Sequence, residues 1–178
     1  TEQMLQDISS AHPNFKFIIL RYFNVAGAAV DGSVGQCTPN ATHLLKVACQ
    51  TALGRRNKMQ IFGDDYDTPD GTCIRDYIHV DDLAQAHIDG LNYLNGGGAS
   101  EVFNVGYGKG CSVKEVLSAT KKVTGIDFTT DIGPRREGDP PVLVSEATAI
   151  GKKTGWSPKN NDLNLIIKTA VDWEERLS

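Results

Sequence analysis

The chain has no excess of basic charge: 18 Lys and Arg against 22 Asp and Glu give its 178 residues a formal net charge of −4. Phosphate contacts to nucleic acid need concentrated Lys and Arg, so this balance argues against a dedicated nucleic-acid binder. No apolar run approaches the roughly 18 residues that a membrane-crossing helix requires, so no membrane partner is expected. Cys37, Cys49, Cys73 and Cys111 are widely spaced and contain no C-x-x-C pair, which argues against structural zinc and against a disulfide framework. Reduced thiols in a cytosolic protein are the simpler expectation. His12, His43, His79 and His87 do not stand at metal-ligand spacings, and His79 and His87 read as core or hydrogen-bonding histidines. A Walker-type loop and a G-x-S-x-G nucleophile motif are also missing, and the Asp residues of 64–70 lack the ligand order of a calcium loop.

What is present reads as one domain with a real core. Thr1 to Ile8 has Met4, Leu5 and Ile8 on one helical face and begins without an N-cap, as if the chain opened inside an element. Phe15–Phe23 is a short apolar run expected as a buried parallel strand. Residues 24–41 read as a long loop. Leu44, Leu45, Ala48, Cys49, Ala52 and Leu53 form a helical stripe closed by Gly54, and Met59–Phe62 follows as a strand. A turn-rich stretch over 63–72 leads to a strand at Tyr77–Val80. The next helix is expected to begin at Asp81 or Asp82, with Leu83, His87, Leu91 and Leu94 inward. Glu101–Val105 reads as a strand, Ser112 with Glu115 has capping-box spacing, and Phe128–Ile132 is a further candidate strand. A short helix from about Ser145 and a final one from Asp162 complete the pattern. Strands alternate with helices, which predicts an α/β arrangement, helix-rich and with few short strands.

Gly106-x-Gly108-x-Gly110 follows a strand and precedes a helix, yet Cys111 breaks the dinucleotide fingerprint, and tight-turn glycines are the better reading. Two loops carry arginines: Arg75 after the turn-rich stretch, and Arg135-Arg136-Glu137-Gly138-Asp139-Pro140-Pro141. One arginine from each loop would suit a diphosphate, since guanidinium donates planar paired bonds to phosphate oxygens. Ordinary surface Arg–Asp pairs are the competing reading, and spacing alone favours them.

Longer strings carry a resemblance. Arg21-Tyr-Phe-Asn-Val-Ala-Gly-Ala28 is similar to the segment that follows the catalytic helix in extended short-chain dehydrogenase/reductases acting on nucleotide sugars. The segments Ile61–Leu83, Glu101–Glu115 and Pro134–Pro140 resemble, in the same order, those of the UDP-glucose 4-epimerases within that family. The resemblance runs from Thr1 to the end of the chain. It implies the C-terminal, substrate-binding part of the α/β fold, a few short strands with several helices, without the dinucleotide-binding (Rossmann) half. Residues 1–178 would then be one substrate-binding domain, with 1–28 as the last elements of the Rossmann part.

The same resemblance implies site residues. Asn24 would hydrogen-bond the substrate near its diphosphate or sugar, and the helix start at His43 and Leu44 would turn backbone N–H groups toward a phosphate. The family usually has Asn where His43 stands. Gln60 and Phe62 would hold the uracil, Arg75 and Arg136 would clamp the diphosphate, and Asp139 would bind ribose. Leu143 falls where the family sets its tolerance for an N-acetyl group. Tyr22 and Phe23 would lie near the nicotinamide of NAD, mainly through backbone contacts.

The implied reaction interconverts UDP-glucose and UDP-galactose: a tyrosinate takes the 4-hydroxyl proton while hydride passes from C4 to NAD+, the keto sugar turns, and hydride returns to its other face. UDP-pentose and UDP-N-acetylhexosamine are alternative substrates, and a non-catalytic sugar-nucleotide binding module is an alternative role. The family's Gly-rich loop and Tyr-x-x-x-Lys pair do not occur in these residues, with the Lys expected a few residues before Thr1. The chain is therefore expected to supply no catalytic residue, to be inactive alone, and to come from a longer homodimeric enzyme. The strand near Phe17–Leu20 is expected to lack its sheet neighbours, leaving an exposed edge.

Overall fold

A computed structural model describes residues 1–177 of the chain. Helix α1 (Glu2–Ala11) leads to strands β1 (Ile18–Tyr22) and β2 (Asn24–Ala26). Then come α2 (Leu44–Ala52), β3 (Met59–Phe62), β4 (Ile74–His79), α3 (Val80–Asn95), β5 (Glu101–Val105) and β6 (Gly110–Ser112). The remaining elements are α4 (Val113–Thr124), β7 (Thr130–Gly133), β8 (Val142–Leu143), α5 (Thr148–Thr154) and α6 (Leu163–Arg176). Three small sheets result. β1 pairs with β5 and β3 with β7, both parallel, while β4 is shared by parallel β2 and β8 and antiparallel β6. No helix among the described residues is long and apolar enough to cross a membrane.

The helices cover these sheets with three contiguous apolar clusters. One joins α2, α4 and α6 through Leu45, Val116, Ile166 and Ile167. The second lies around β4 and β5, with Ile78, Phe103, Ile150 and Trp156. Met59, Ile61, Ala48 and Leu117 form the third, under β3. In α4 the expected capping box is complete: Ser112 Oγ accepts from Glu115 N while Glu115 returns a bond from Ser112 N.

Several expectations change. The supposed loop over 24–41 begins as strand, because Asn24, Val25 and Ala26 pair with Tyr77, Ile78 and His79. Strand β4 starts at Ile74, three residues before the expected Tyr77, since β6 and β8 both dock on its first half. Helix α3 begins at Val80, and its N-cap is His79, whose Nδ1 accepts from Asp81 N at 3.1 Å. His87 and Leu91 lie outside rather than inward. The buried stripe is Asp82, Leu83, Ala86 and Gly90, because α3 runs close to β1: a Cβ on Gly90 would meet Ile18 at 3.4 Å. Strand β1 does keep a sheet neighbour, β5, on one side. The anticipated face of α1 is exposed at Met4 and Ile8, and the helix buries no residue.

Two buried carboxylates organise the loops between these elements. Asp76 is fully buried in β4 and accepts N–H bonds from Tyr107 at 3.1 Å, Gly108 at 3.0 Å and Ser145 at 3.2 Å. This captures Ser145, which explains why α5 starts only at Thr148. The 106–110 glycines also find their reason here. A Cβ on Gly106 would sit 2.6 Å from Asp76 Oδ2, Gly108 adopts φ +68, and Gly110 passes against Ile74 within β6. Asp82, the second carboxylate, accepts from Tyr107 Oη at 2.6 Å, Lys159 N at 3.1 Å, and Asn160 N and Nδ2 at 2.9 Å. Tyr107 Oη accepts in turn from His79 N at 3.0 Å.

Buried N–H groups without acceptors each cost about 1–3 kcal/mol, so Asp76→Ala should lower stability by at least ~3 kcal/mol in urea unfolding of this polypeptide. A loss below ~1 kcal/mol would show that these bonds are replaced when the carboxylate leaves. His79 supplies a pH dependence. Burial, the leading cause, pushes its imidazole below its ordinary range, against the smaller pull of the Asp81 and Asp82 carboxylates. The folded state thus binds the proton less readily than the unfolded chain. Its share of stability is full above roughly pH 6.5 and is lost as pH falls from there through the folded value. Urea midpoints of the wild type should fall between pH 7.5 and 5.5 by more than those of His79→Asn; parallel curves would remove His79 as the cause.

Candidate functional site

Strand β4 is the axis of the candidate site. Arg75 extends from it next to Asp76, and β8 brings Leu143 into register with Arg75. One guanidinium nitrogen, Nη2, pairs with Asp139 Oδ1, while Nη1 donates to the Ile74 carbonyl at 2.7 Å and to the Pro141 carbonyl at 3.5 Å. The Arg75 side chain is only 12% exposed, so this is a supported group rather than a surface ion pair of negligible worth. Arg75 thus stands in an Arg–Asp pair, as the competing reading of the arginine loops expected, but a mostly buried one.

The alternating pleat of β3 buries Met59 and Ile61 and turns Gln60 and Phe62 outward. Across the sheet, Phe62 is paired with Gly133 and Gln60 with Asp131. Gly133 leaves room for the Gln60 amide, which a Cβ there would strike at 2.1 Å. The basic loop is laid along this strand by two stacked contacts: Arg136 stands over the Phe62 ring at 3.9 Å, and Arg135 over the Tyr66 ring at 4.3 Å. Gly138, at φ +74, closes the turn that delivers Asp139 to Arg75. Arg135 also pairs with Asp65, so of the two adjacent arginines only Arg136 keeps its guanidinium off a carboxylate in the ion pairs of the described residues.

Asn24 opens β2 opposite Tyr77, and its Nδ2 donates to the Asp76 carbonyl at 3.4 Å. It lines a cavity of about 570 Å³ that also takes in His43, Leu44, Tyr77, Asp81 and Trp173. His43 is the N-cap of α2 but makes no side-chain capping bond; its Nδ1 instead contacts Gln36 Nε2 at 3.0 Å. The first-turn N–H groups of α2 therefore lack an acceptor from the cap side chain, which is the arrangement that attracts anions. Leu44 begins the helix, half-buried against the core. Tyr22, 52% exposed, ends β1 at the carboxyl end of its parallel pairing with β5, the usual side for ligands in α/β folds, two residues before Asn24 opens β2.

The expected residues thus fall into two neighbouring groups along β4. Arg75, Asp139 and Leu143 gather at its first half, with Arg136, Phe62 and Gln60 reached along the 136–139 loop, and Asn24, His43 and Leu44 share the cavity beside Tyr77 in its second. The sequence reading missed the wall behind the cavity. Lys46 and Glu174 pair there with almost no exposure; Glu174 also accepts from Gln50 and Arg55 at 3.3 Å, and Lys46 donates to the Gln36 carbonyl. Trp173 Nε1 reaches that same carbonyl at 3.3 Å, so the loop before His43 is tied to both α2 and α6. Burial first, then the Glu174 charge, push the adjacent Cys49 thiol up to about 12. A lysine beside the buried stripe of α2 and a glutamate three residues from Val171 on α6 were the available signals.

With this geometry in view, the comparisons are specific. Residues 1–106 match the model of the NAD dependent epimerase/dehydratase family. The UDP-glucose 4-epimerase of Azospirillum brasilense is 54% identical over 177 residues, covering 99% of this chain and 51% of that protein. The solved UDP-Glc/GlcNAc 4-epimerase of Campylobacter jejuni is 58% identical with a TM-score of 0.82, over 98% of this chain and 53% of its own. A UDP-glucose-4-epimerase from Stenotrophomonas maltophila, solved with bound NAD and formylated UDP-arabinopyranose, superposes at a TM-score of 0.94 and 35% identity, over 99% of this chain and 52% of its own. The chain spans about half the length of these relatives, and its α/β architecture corresponds to the C-terminal half of their extended short-chain dehydrogenase/reductase fold. Matched over most of its length by that family model and over almost all of it by these epimerases, the chain belongs to the NAD dependent epimerase/dehydratase family.

Proposed function

We propose that this chain is the UDP-sugar-holding part of a 4-epimerase that interconverts UDP-glucose and UDP-galactose with NAD. The observation that carries the reading is one loop that links residues distant in sequence: it lays Arg136 over the Phe62 ring of β3, hands Asp139 to Arg75 of β4, and runs into β8, where Leu143 is in register with Arg75. Arg75 and Arg136 would donate to the diphosphate, aided by the first-turn N–H groups of α2 behind His43 and Leu44. Gln60 and Phe62 would hold uracil, Asp139 would accept from ribose hydroxyls, and Asn24 would bond the substrate where diphosphate meets sugar. All the charged anchors address UDP. The hexose is then held loosely enough to turn over, which an epimerase that returns hydride to the opposite face requires.

NAD, when bound, would supply a reversible acceptor for the C4 hydride. This chain fits a minor share of its site: Tyr22 offers an exposed ring and backbone at the carboxyl end of β1, and residues 1–28 would form the edge of the dinucleotide-binding half. The family's Gly-rich loop and Tyr-x-x-x-Lys pair do not occur in these 178 residues, so on this reading they would bind substrate without converting it. A second reading, 4-epimerisation of UDP-N-acetylhexosamines as well, draws on the Campylobacter jejuni relative and on the exposed Leu143 beside Arg75.

Calorimetry of UDP with protein purified from the intact gene should show Arg75→Ala binding weakened by about 10- to 100-fold, the loss of a charge-assisted bond. Unchanged affinity would remove Arg75 from the site. In the same preparation UDP-galactose should be converted to UDP-glucose, whereas residues 1–178 alone with added NAD should show no turnover. UDP binding without turnover in the intact protein would favour a non-catalytic binding module, and comparable turnover of UDP-N-acetylgalactosamine would favour the second reading.

A further inference from the structure

Asp139 is held at both oxygens, and the second holder belongs to none of the groups assigned above. Arg75 takes Oδ1; on the other side the Cys73 thiol, just ahead of β4, donates to Oδ2 at 3.8 Å. Cys73 is buried, and Tyr66 borders it as a side chain only 5% exposed, its ring roofed by Arg135 and its hydroxyl facing the thiol. Of the two oxygens within its reach, the Asp139 carboxylate is the stronger acceptor for the thiol proton. We propose that Cys73 is a positioning residue for the Arg75–Asp139 pair, which rests on the reading of that pair as the UDP clamp.

The physical argument concerns what a carboxylate does beside a guanidinium. Free to rotate, it turns both oxygens to the fork and makes two parallel bonds, the stronger arrangement. An Arg75 gripped in that manner would have fewer N–H groups for a phosphate and more of its charge neutralised. The thiol occupies Oδ2 and limits Asp139 to a single contact at Nη2. With Nη1 committed to the Ile74 and Pro141 carbonyls, Nε and the remaining N–H of Nη2 stay available for an anion. The same constraint holds the Asp139 carboxylate in one orientation toward a ribose hydroxyl. A thiol is a weak donor, but this one is buried and faces a charged acceptor, which strengthens the bond.

The test uses protein from the intact gene, carrying Cys73→Ala, Cys73→Val or Cys73→Ser, with UDP titrated by calorimetry and turnover of UDP-galactose followed. Both variants without a donor should raise Kd for UDP and KM together by roughly 3- to 10-fold, the effect of one net hydrogen bond, with kcat changed less than about twofold. Serine, which keeps a donor at this position, should return both constants to within about twofold of the wild type, and melting temperatures should stay within a few degrees. Wild-type affinity in Cys73→Ala and Cys73→Val would overturn the proposal. So would a serine variant as impaired as alanine, or a fall in kcat and melting temperature that accounts for the loss, since each would assign Cys73 to packing alone. Arg75→Ala and Asp139→Ala run in parallel keep the two ideas apart. If these leave UDP binding intact the clamp itself is misassigned, and if they weaken it while the Cys73 variants do not, only the positioning role fails.

Discussion

The buried carboxylate of Asp76 is the constraint on which the rest of the site depends. A charge in the centre of a strand is costly to desolvate, and here it is compensated by N–H groups from two distant segments, the glycine turn at 106–108 and the chain at Ser145. Those bonds bring the two segments to opposite sides of β4. Strand β6 follows directly from the first and β8 directly precedes the second, so both pairings with Ile74 and Arg75 are set by the same anchor. Arg75 then faces Leu143 and Asp139, and Asn24 reaches the Asp76 carbonyl from the other end.

Asp82 repeats the device one turn further on. It gathers Tyr107, Lys159 and Asn160 and thereby fixes α3 against the segment that leads into α6. Lys46 with Glu174 does so a third time between α2 and α6, and Gln36 couples that pair to His43. Paired buried charges contribute little net stability compared with apolar residues of similar volume, but removing one partner is costly, so they enforce one arrangement over its alternatives. In this molecule they enforce the positions of loops. That suits a site assembled almost wholly from strand ends and connecting segments, where apolar packing has little grip.

Elements with a strong local pattern were legible from residues alone. The stripe of α2, the capping box of α4 and the Asp162 start of α6 each follow from periodicity or from a cap that acts within four residues, and β3 stands where its short apolar run was expected. The misreadings have tertiary causes. Helix α3 turns small residues inward because β1 approaches closely at Gly90, so its bulkier Leu91 lies outside. Strands β6 and β8, of three and two residues, exist only through their pairing with β4, and no window that short carries a period.

By itself the sequence determined the α/β class, most helix starts and, through long strings shared with the 4-epimerases, the family and the identities of the expected site residues. Only the tertiary structure decided which of those residues stand together. Arg75 and Asp139 are far apart along the chain and their spacing read as ordinary surface charge; their pairing, with Cys73 on the far oxygen, depends on Asp76 drawing two remote segments onto one strand. The reason is the range of the forces involved. Periodicity and capping report interactions between near neighbours in sequence, whereas the Arg75–Asp139 pair is built from contacts closed by buried hydrogen bonds across long loops, which leave no local pattern to read.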